Sequence, residues 1–192
     1  MSAETTAAVW GGIAGGFFAV IAVLVQTFLG RRDTKIAERK ILAAVLQAIL
    51  DEIQTVWDRY MQTAGGAICN HPHGQPFMTI FPVDFDYFAI FNSNAFLIGR
   101  VDNVELRRLI VQTYTHAKGL VDSYRFNNSM LEKHAQTLAL AQAGIQPSVA
   151  QARAELETLT RYADLLKSSH VRVSGLVDRI LPALQAEISR LA

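Results

Sequence analysis

Cys69 is the only cysteine among the 192 residues, so an internal disulfide is excluded, and a lone thiol suits a reducing compartment. An excess of charge of one sign is missing too. The formal net charge is +1, and Lys and Arg alternate with Asp and Glu along the chain, which predicts no direct nucleic-acid partner. There is no Walker glycine loop, no G-x-S-x-G elbow, no HExxH and no paired-cysteine zinc pattern. A protein without catalytic residues, metal or cofactor is the expectation. Proline is scarce, and three of the five crowd into residues 65–83, which read as the one long irregular loop. Cys69, His71 and His73 lie in it, but their spacing fits no usual zinc pattern and no fourth ligand is evident.

The most informative absence is of charge. Ala7–Leu29, AAVWGGIAGGFFAVIAVLVQTFL, has none over 23 residues, and a helix needs about 20 apolar residues to cross a bilayer. A single transmembrane helix over residues 1–30 is predicted, followed by one helical domain over residues 31–192. A cleaved signal peptide would want its basic residues before the run, whereas Arg31, Arg32, Lys35, Arg39 and Lys40 come after it. By the positive-inside rule that side is cytoplasmic, so the expected topology is N-terminus outside, domain inside, in the inner membrane. Gly11 with Gly15 and Gly12 with Gly16 form two overlapping GxxxG pairs, extended by Ala19 and Ala22. Small residues let helix backbones approach closely, which favours self-association. Gln26 and Thr27 sit near the cytoplasmic end and, with Arg31 and Arg32, would form the mouth of a pore if several spans enclosed one.

The remainder reads as all-α. Leu42, Leu46, Ile49, Ile53, Val56 and Tyr60 recur at steps of four and three, predicting a helix from Thr34 to about Ala64, ended by Gly65-Gly66. Asp84 is the expected cap of a helix from Phe85 to Ile98, with Phe85, Phe88, Phe91 and Phe96 in the core and Gly99 at C′. Asn92 and Asn94 are expected to satisfy nearby backbone groups. Asp102 and Glu105 read as a capping box for a long helix to about Ala143, whose seam runs Leu106, Ile110, Thr113, Ala117, Leu120, Tyr124, Asn127, Leu131, His134 and Leu138. Gly144 stops it, Ser148 with Gln151 restarts it, and a second seam from Leu156 to Leu184 returns, with a kink expected at Pro182. The two helices must form an antiparallel hairpin that brings His170 level with Asp122; His170 reads as a core-edge histidine satisfied by a neighbour or, alternatively, as one whose charged form Asp122 favours. Beside the seam, Arg107, Tyr114, Lys118, Asp122 and Arg125 form a polar stripe, read as a solvated face with local ion pairs or as a subunit interface.

The block FPVDFDYFAIFNSNAFLIGRVDNVELRRLIVQTYTHAKGLVDSYRFNN, Phe81 to Asn128, resembles a segment of uncharacterised bacterial proteins with one N-terminal membrane helix. In layout the chain resembles the membrane accessory protein of type VI-B, RNA-targeting CRISPR systems, which pairs one span with a HEPN-like helical domain. That resemblance implies a homo-oligomeric inner-membrane pore in anti-phage defence, working with a soluble defence protein. HEPN ribonucleases carry Arg and His separated by four to six residues. Here Arg107 or Arg108 with His116, Arg125 with His134 and Arg161 with His170 are separated by seven or eight, a departure that argues against RNA cleavage. The sequence thus leaves two readings, a self-assembling membrane protein or a membrane-tethered scaffold that recruits a soluble partner.

Overall fold

A computed structural model describes residues 34–83, 87–145 and 148–191, and among these every regular element is helical. Helix α1 covers 34–60 and passes through a π turn, Met61–Gly65, into the short α2, Gly66–Cys69. A segment without regular structure leads to α3, Ala89–Ile98, and a tight turn into α4, Val104–Gln142. The last helix, α5, runs Ser148–Leu191. No helix among the described residues is long and apolar enough to cross a membrane. Ala7–Leu29, on which the transmembrane expectation rests, lies outside the described residues, as do Gly11, Gly12, Gly15, Gly16, Gln26, Thr27, Arg31 and Arg32.

Helices α4 and α5 form the long antiparallel hairpin. Ser123 meets Tyr162, Thr137 meets Glu155, and His134 faces Glu155. Gly144 ends α4 at φ +78°, and the Gly144 and Ile145 amides bond back to Ala141 and Leu140, the paired bonds of a Schellman stop. Helix α1 packs against the half of the hairpin farther from its turn, formed by the start of α4 and the end of α5. There Leu46, Ile49, Ile68, Val101, Ile110, Leu166, Ile180 and Leu184 are fully buried in one core. Beyond the reach of α1 the hairpin continues as a two-helix arm, sealed by Leu131, Ala152 and Leu159 apart from that core.

Several local expectations change. Gly65-Gly66 do not end the first helix. A Cβ on Gly65 would lie 2.7 Å from the Tyr60 ring and one on Gly66 2.9 Å from the Met61 carbonyl, so these glycines permit a close approach rather than a stop. The seam explains the π turn. Continuing the alternation beyond Tyr60 would turn Thr63 and Ala67 inward, yet both are exposed, while Ala64 and Ile68 are buried. The widened turn absorbs one extra residue and keeps the apolar face on the core. Thr63 departs from helical geometry, and its hydroxyl donates to the Arg59 and Tyr60 carbonyls at 3.0 Å.

The cap of α4 is Asn103, one residue later than expected, because Val101 is fully buried and bonded to Ile98, delaying the turn into the helix. Helix α3 begins at Ala89 rather than Phe85, and residues 84–86, including the expected Asp84 cap and Phe85, lie outside the described residues. Phe96 is 75% exposed rather than core, since α3 turns only one face inward. Gly99 keeps right-handed geometry (φ −59°) and leads a tight turn instead of a left-handed stop. Helix α5 is not interrupted at Pro182, which lies with Asp178 on the solvent side, where water can serve the released carbonyl.

Candidate functional site

Polar side chains converge at three places along the inner face of α1. The first is Glu52, buried one residue before the seam position Ile53. Its carboxylate accepts from the Ile90 amide at 2.7 Å, the Phe91 amide at 3.2 Å and the Tyr114 hydroxyl at 2.7 Å. Helix α3 has no side-chain cap of its own, so a carboxylate from another helix satisfies its first amides and complements its dipole. Burial, then the hydrogen bond to Glu52, push the Tyr114 hydroxyl well above its usual pKa. Phe91 stacks on the Tyr114 ring at 3.9 Å.

The second place lies two turns further, where Tyr60 precedes the π turn. Its hydroxyl is 2.9 Å from His170 Nδ1 and 3.2 Å from the Tyr124 hydroxyl, and the Trp57 ring stacks on the imidazole at 5.8 Å. Burial, and secondarily the Lys167 ammonium, hold His170 below its usual pKa and favour its neutral form. His170 is thus the core-edge histidine satisfied by a neighbour, and the alternative of a charged form beside Asp122 does not hold, since that carboxylate pairs with Arg125 at 3.0 Å. The Tyr124 hydroxyl is pushed up to about 12, chiefly by burial, and that of Tyr60 is raised further. An apolar cavity of about 50 Å³ adjoins this cluster, between Trp57, Phe81, Phe88 and Leu120. It is large enough for little more than a water, and its walls offer few polar partners.

The polar stripe on α4 keeps one exposed local ion pair, Asp122 with Arg125, and the rest of it clasps the preceding segment of the chain. Tyr114 is fully buried; Arg107 donates to the Val101 carbonyl at 2.8 Å, Lys118 to Asn92 Oδ1 at 2.8 Å and Arg125 to the Val83 carbonyl at 3.2 Å. Asn128, which sequence reasoning missed, brackets Phe81 by bonding both its amide and its carbonyl, and Asn127 donates to the Phe77 carbonyl. These contacts tie Phe77, Phe81, Val83, Asn92 and Val101 along α4. Asn94 bonds the Ile90 carbonyl as expected, whereas Asn92 serves a lysine side chain. Glu52, Tyr60 and Tyr124 were also missed as polar groups. Their only sequence signal was position, since both tyrosines lie on apolar seams and Glu52 lies one residue off one.

The third place is the end of the bundle from which residue 34 emerges. The start of α1, the end of α3, the start of α4 and the end of α5 surround an open cleft of about 370 Å³ lined by Lys35, Arg39, Leu97, Arg100, Asp102 and Arg190. Glu38 lies 3.9 Å from Arg100, and Glu187 is paired with Arg190. On the proline-rich segment His73 bonds Asp164 at 2.8 Å, His71 bonds the Gln75 carbonyl, and Lys167 donates to the His71 carbonyl. Cys69 is exposed, and no three His, Cys, Asp or Glu side chains among the described residues cluster as a metal would require. No protein-family model matches the chain, and neither a curated protein nor a solved structure is significantly similar to it.

Proposed function

We propose that this chain is a single-pass inner-membrane protein that assembles with copies of itself through Ala7–Leu29, with its helical domain cytoplasmic, and that the assembly encloses a pore. One observation carries the reading. Only Gly30 to Asp33 lie in sequence between the apolar run and Thr34, which already belongs to helix α1, and α1 contributes the fully buried Leu46 and Ile49 to the core. A domain hung on a passive tether would not need its middle helix joined so closely to the anchor. Here any rearrangement among spans would be passed into the core. The polar clusters support the same reading, because their hydrogen bonds are spent on holding elements together. The layout shared with the type VI-B accessory protein adds anti-phage defence as the setting.

The test is particle size in mild detergent, with ion leakage from cells expressing the wild type or Gly12→Leu/Gly16→Leu. An oligomer with leakage, both lost in the variant, supports assembly through the span; a monomer without leakage ends the pore reading. A second reading, a tethered scaffold for a soluble partner, is favoured by the two-helix arm, where Leu138, Leu140, Ile145, Val149 and Leu156 are exposed. If Leu138→Asp/Val149→Asp leaves particle size and leakage unchanged but abolishes partner copurification, that reading replaces the first.

A further inference from the structure

The end of the bundle around the cleft combines exposed apolar side chains with cations. Ile36 and Ile41 on α1, Phe96 at the end of α3 and Val104 at the start of α4 are 44%, 54%, 75% and 52% exposed. They stand singly among cations, and Arg100 lies over the Phe96 ring at 5.0 Å. The acidic groups here have basic neighbours: Glu38 beside Arg100, Glu105 beside Arg108, Glu187 on Arg190, and Asp102 close enough to raise the Arg190 pKa. Lys35, Arg39 and Lys40 have no acidic partner among the described residues. An aromatic ring flanked by arginine, scattered aliphatics and uncompensated cations is the composition of a membrane interface rather than of a protein contact.

The chain's course points the same way. From Leu29 to Thr34 the backbone spans about 8 Å if helical and at most about 18 Å if extended, and the Debye length at physiological salt is about 8 Å. If Ala7–Leu29 crosses the bilayer, Lys35 stands about one Debye length from an anionic leaflet, while Arg39 and Lys40, about 15–17 Å from Leu29 along a helix, reach it when this end of the bundle leans onto the membrane. A second copy is a poorer occupant of this end, because two such faces would bring like charges together.

Resting on the reading of Ala7–Leu29 as a span, we propose that this end of the bundle lies against the membrane and binds anionic phospholipid headgroups through Lys35, Arg39, Lys40 and Arg100, with Phe96 and Val104 seated in the interface. The bundle is then oriented by its lipid as well as by its anchor. The experiment uses the full chain carrying Cys69→Ser and Val104→Cys, labelled with an environment-sensitive fluorophore. It is reconstituted in nanodiscs of phosphatidylcholine alone or with about one quarter phosphatidylglycerol.

The expected result is blue-shifted emission and at least about threefold protection from an aqueous quencher in the anionic discs. Both effects should be lost in Lys35→Glu/Arg39→Glu/Lys40→Glu, whose helical content by circular dichroism should match the parent. Water-like emission in both discs overturns the proposal. Equal blue shifts in both lipids, unaffected by charge reversal, overturn the anionic assignment. A shift that scales with chains per disc assigns the face to a second copy and likewise overturns it. Alkaline carbonate extraction separates the two levels: release from vesicles defeats the span, whereas retention with water-like emission defeats only the headgroup contact.

Discussion

Replacing Glu52 by alanine removes one acceptor shared by three donors from two other elements. The Tyr114 hydroxyl is fully buried and would be stranded, costing about 2 kcal/mol. The Ile90 and Phe91 amides open the first turn of α3 on half-buried residues, so each is worth about 1 kcal/mol, within the range measured for lost N-caps. The loss is therefore about 4 kcal/mol, or roughly 8–16 °C in Tm for a chain of this size. Glu52→Gln keeps an oxygen for the amides and can donate to Tyr114, so its cost should be about half. The assay is thermal unfolding of the full chain in detergent by circular dichroism, with amide exchange at Ile90 and Phe91 as the local readout. If alanine lowers Tm by less than about 3 °C, or does no more harm than glutamine, the carboxylate is not what seats α3.

Gly65→Ala should cost about 2 kcal/mol, since the new Cβ meets the Tyr60 ring at 2.7 Å and Met61 Sδ at 2.8 Å. Gly119→Ala, where nothing lies within 4 Å, should instead stabilise α4 by about 0.5–1 kcal/mol; denaturation melts of the pair decide it, and equal effects would refute the close approach. Because burial and Lys167 depress His170 in the native state, the unfolded chain binds its proton first. Stability should be full above about pH 6.5, fall as pH drops through that value and level off below the native pKa. A His170→Gln variant with the same slope over this window would contradict that assignment. Asn128→Ala frees both backbone groups of Phe81 and should make the segment between Asn70 and Phe88 markedly more sensitive to limited proteolysis; an unchanged digestion pattern would show that the clasp does not hold it.

The hairpin and most of its seams were legible because they rest on local periodicity, a step of three or four residues declaring a helical face wherever the partner lies; near the hairpin turn the register drifts, so the expected Leu138 and Leu156 are exposed while Thr137 and Ala152 face inward. Gly144 was legible for a similar reason, as a left-handed stop is written in one residue. The clasp was not. Arg107, Lys118 and Arg125 look like any solvated helix face until the returning segment is laid along it, and that contact spans up to 42 residues of sequence. Glu52 was invisible as a cap because caps are read from adjacent residues, and this one comes from another helix. Gly65-Gly66 misled because the same absence of a side chain serves both a helix stop and a close approach. His170 was legible as a core-edge histidine satisfied by a neighbour, but not which neighbour, since the tyrosine that reaches it comes from α1 rather than from the hairpin.

The π turn has an implication for chain length. Because it takes up one residue while leaving Ala64 and Ile68 facing inward, the helix behaves as though it had accepted an insertion next to Tyr60. Deleting Thr63 should therefore be milder than most deletions inside a helix: the shortened chain can close as ordinary α-helix with the same face on the core. What it would forfeit is the bulge that presses Gly65 against the Tyr60 ring and so helps aim its hydroxyl at His170. The spare residue serves the placement of one side chain, at the cost of a regular helix.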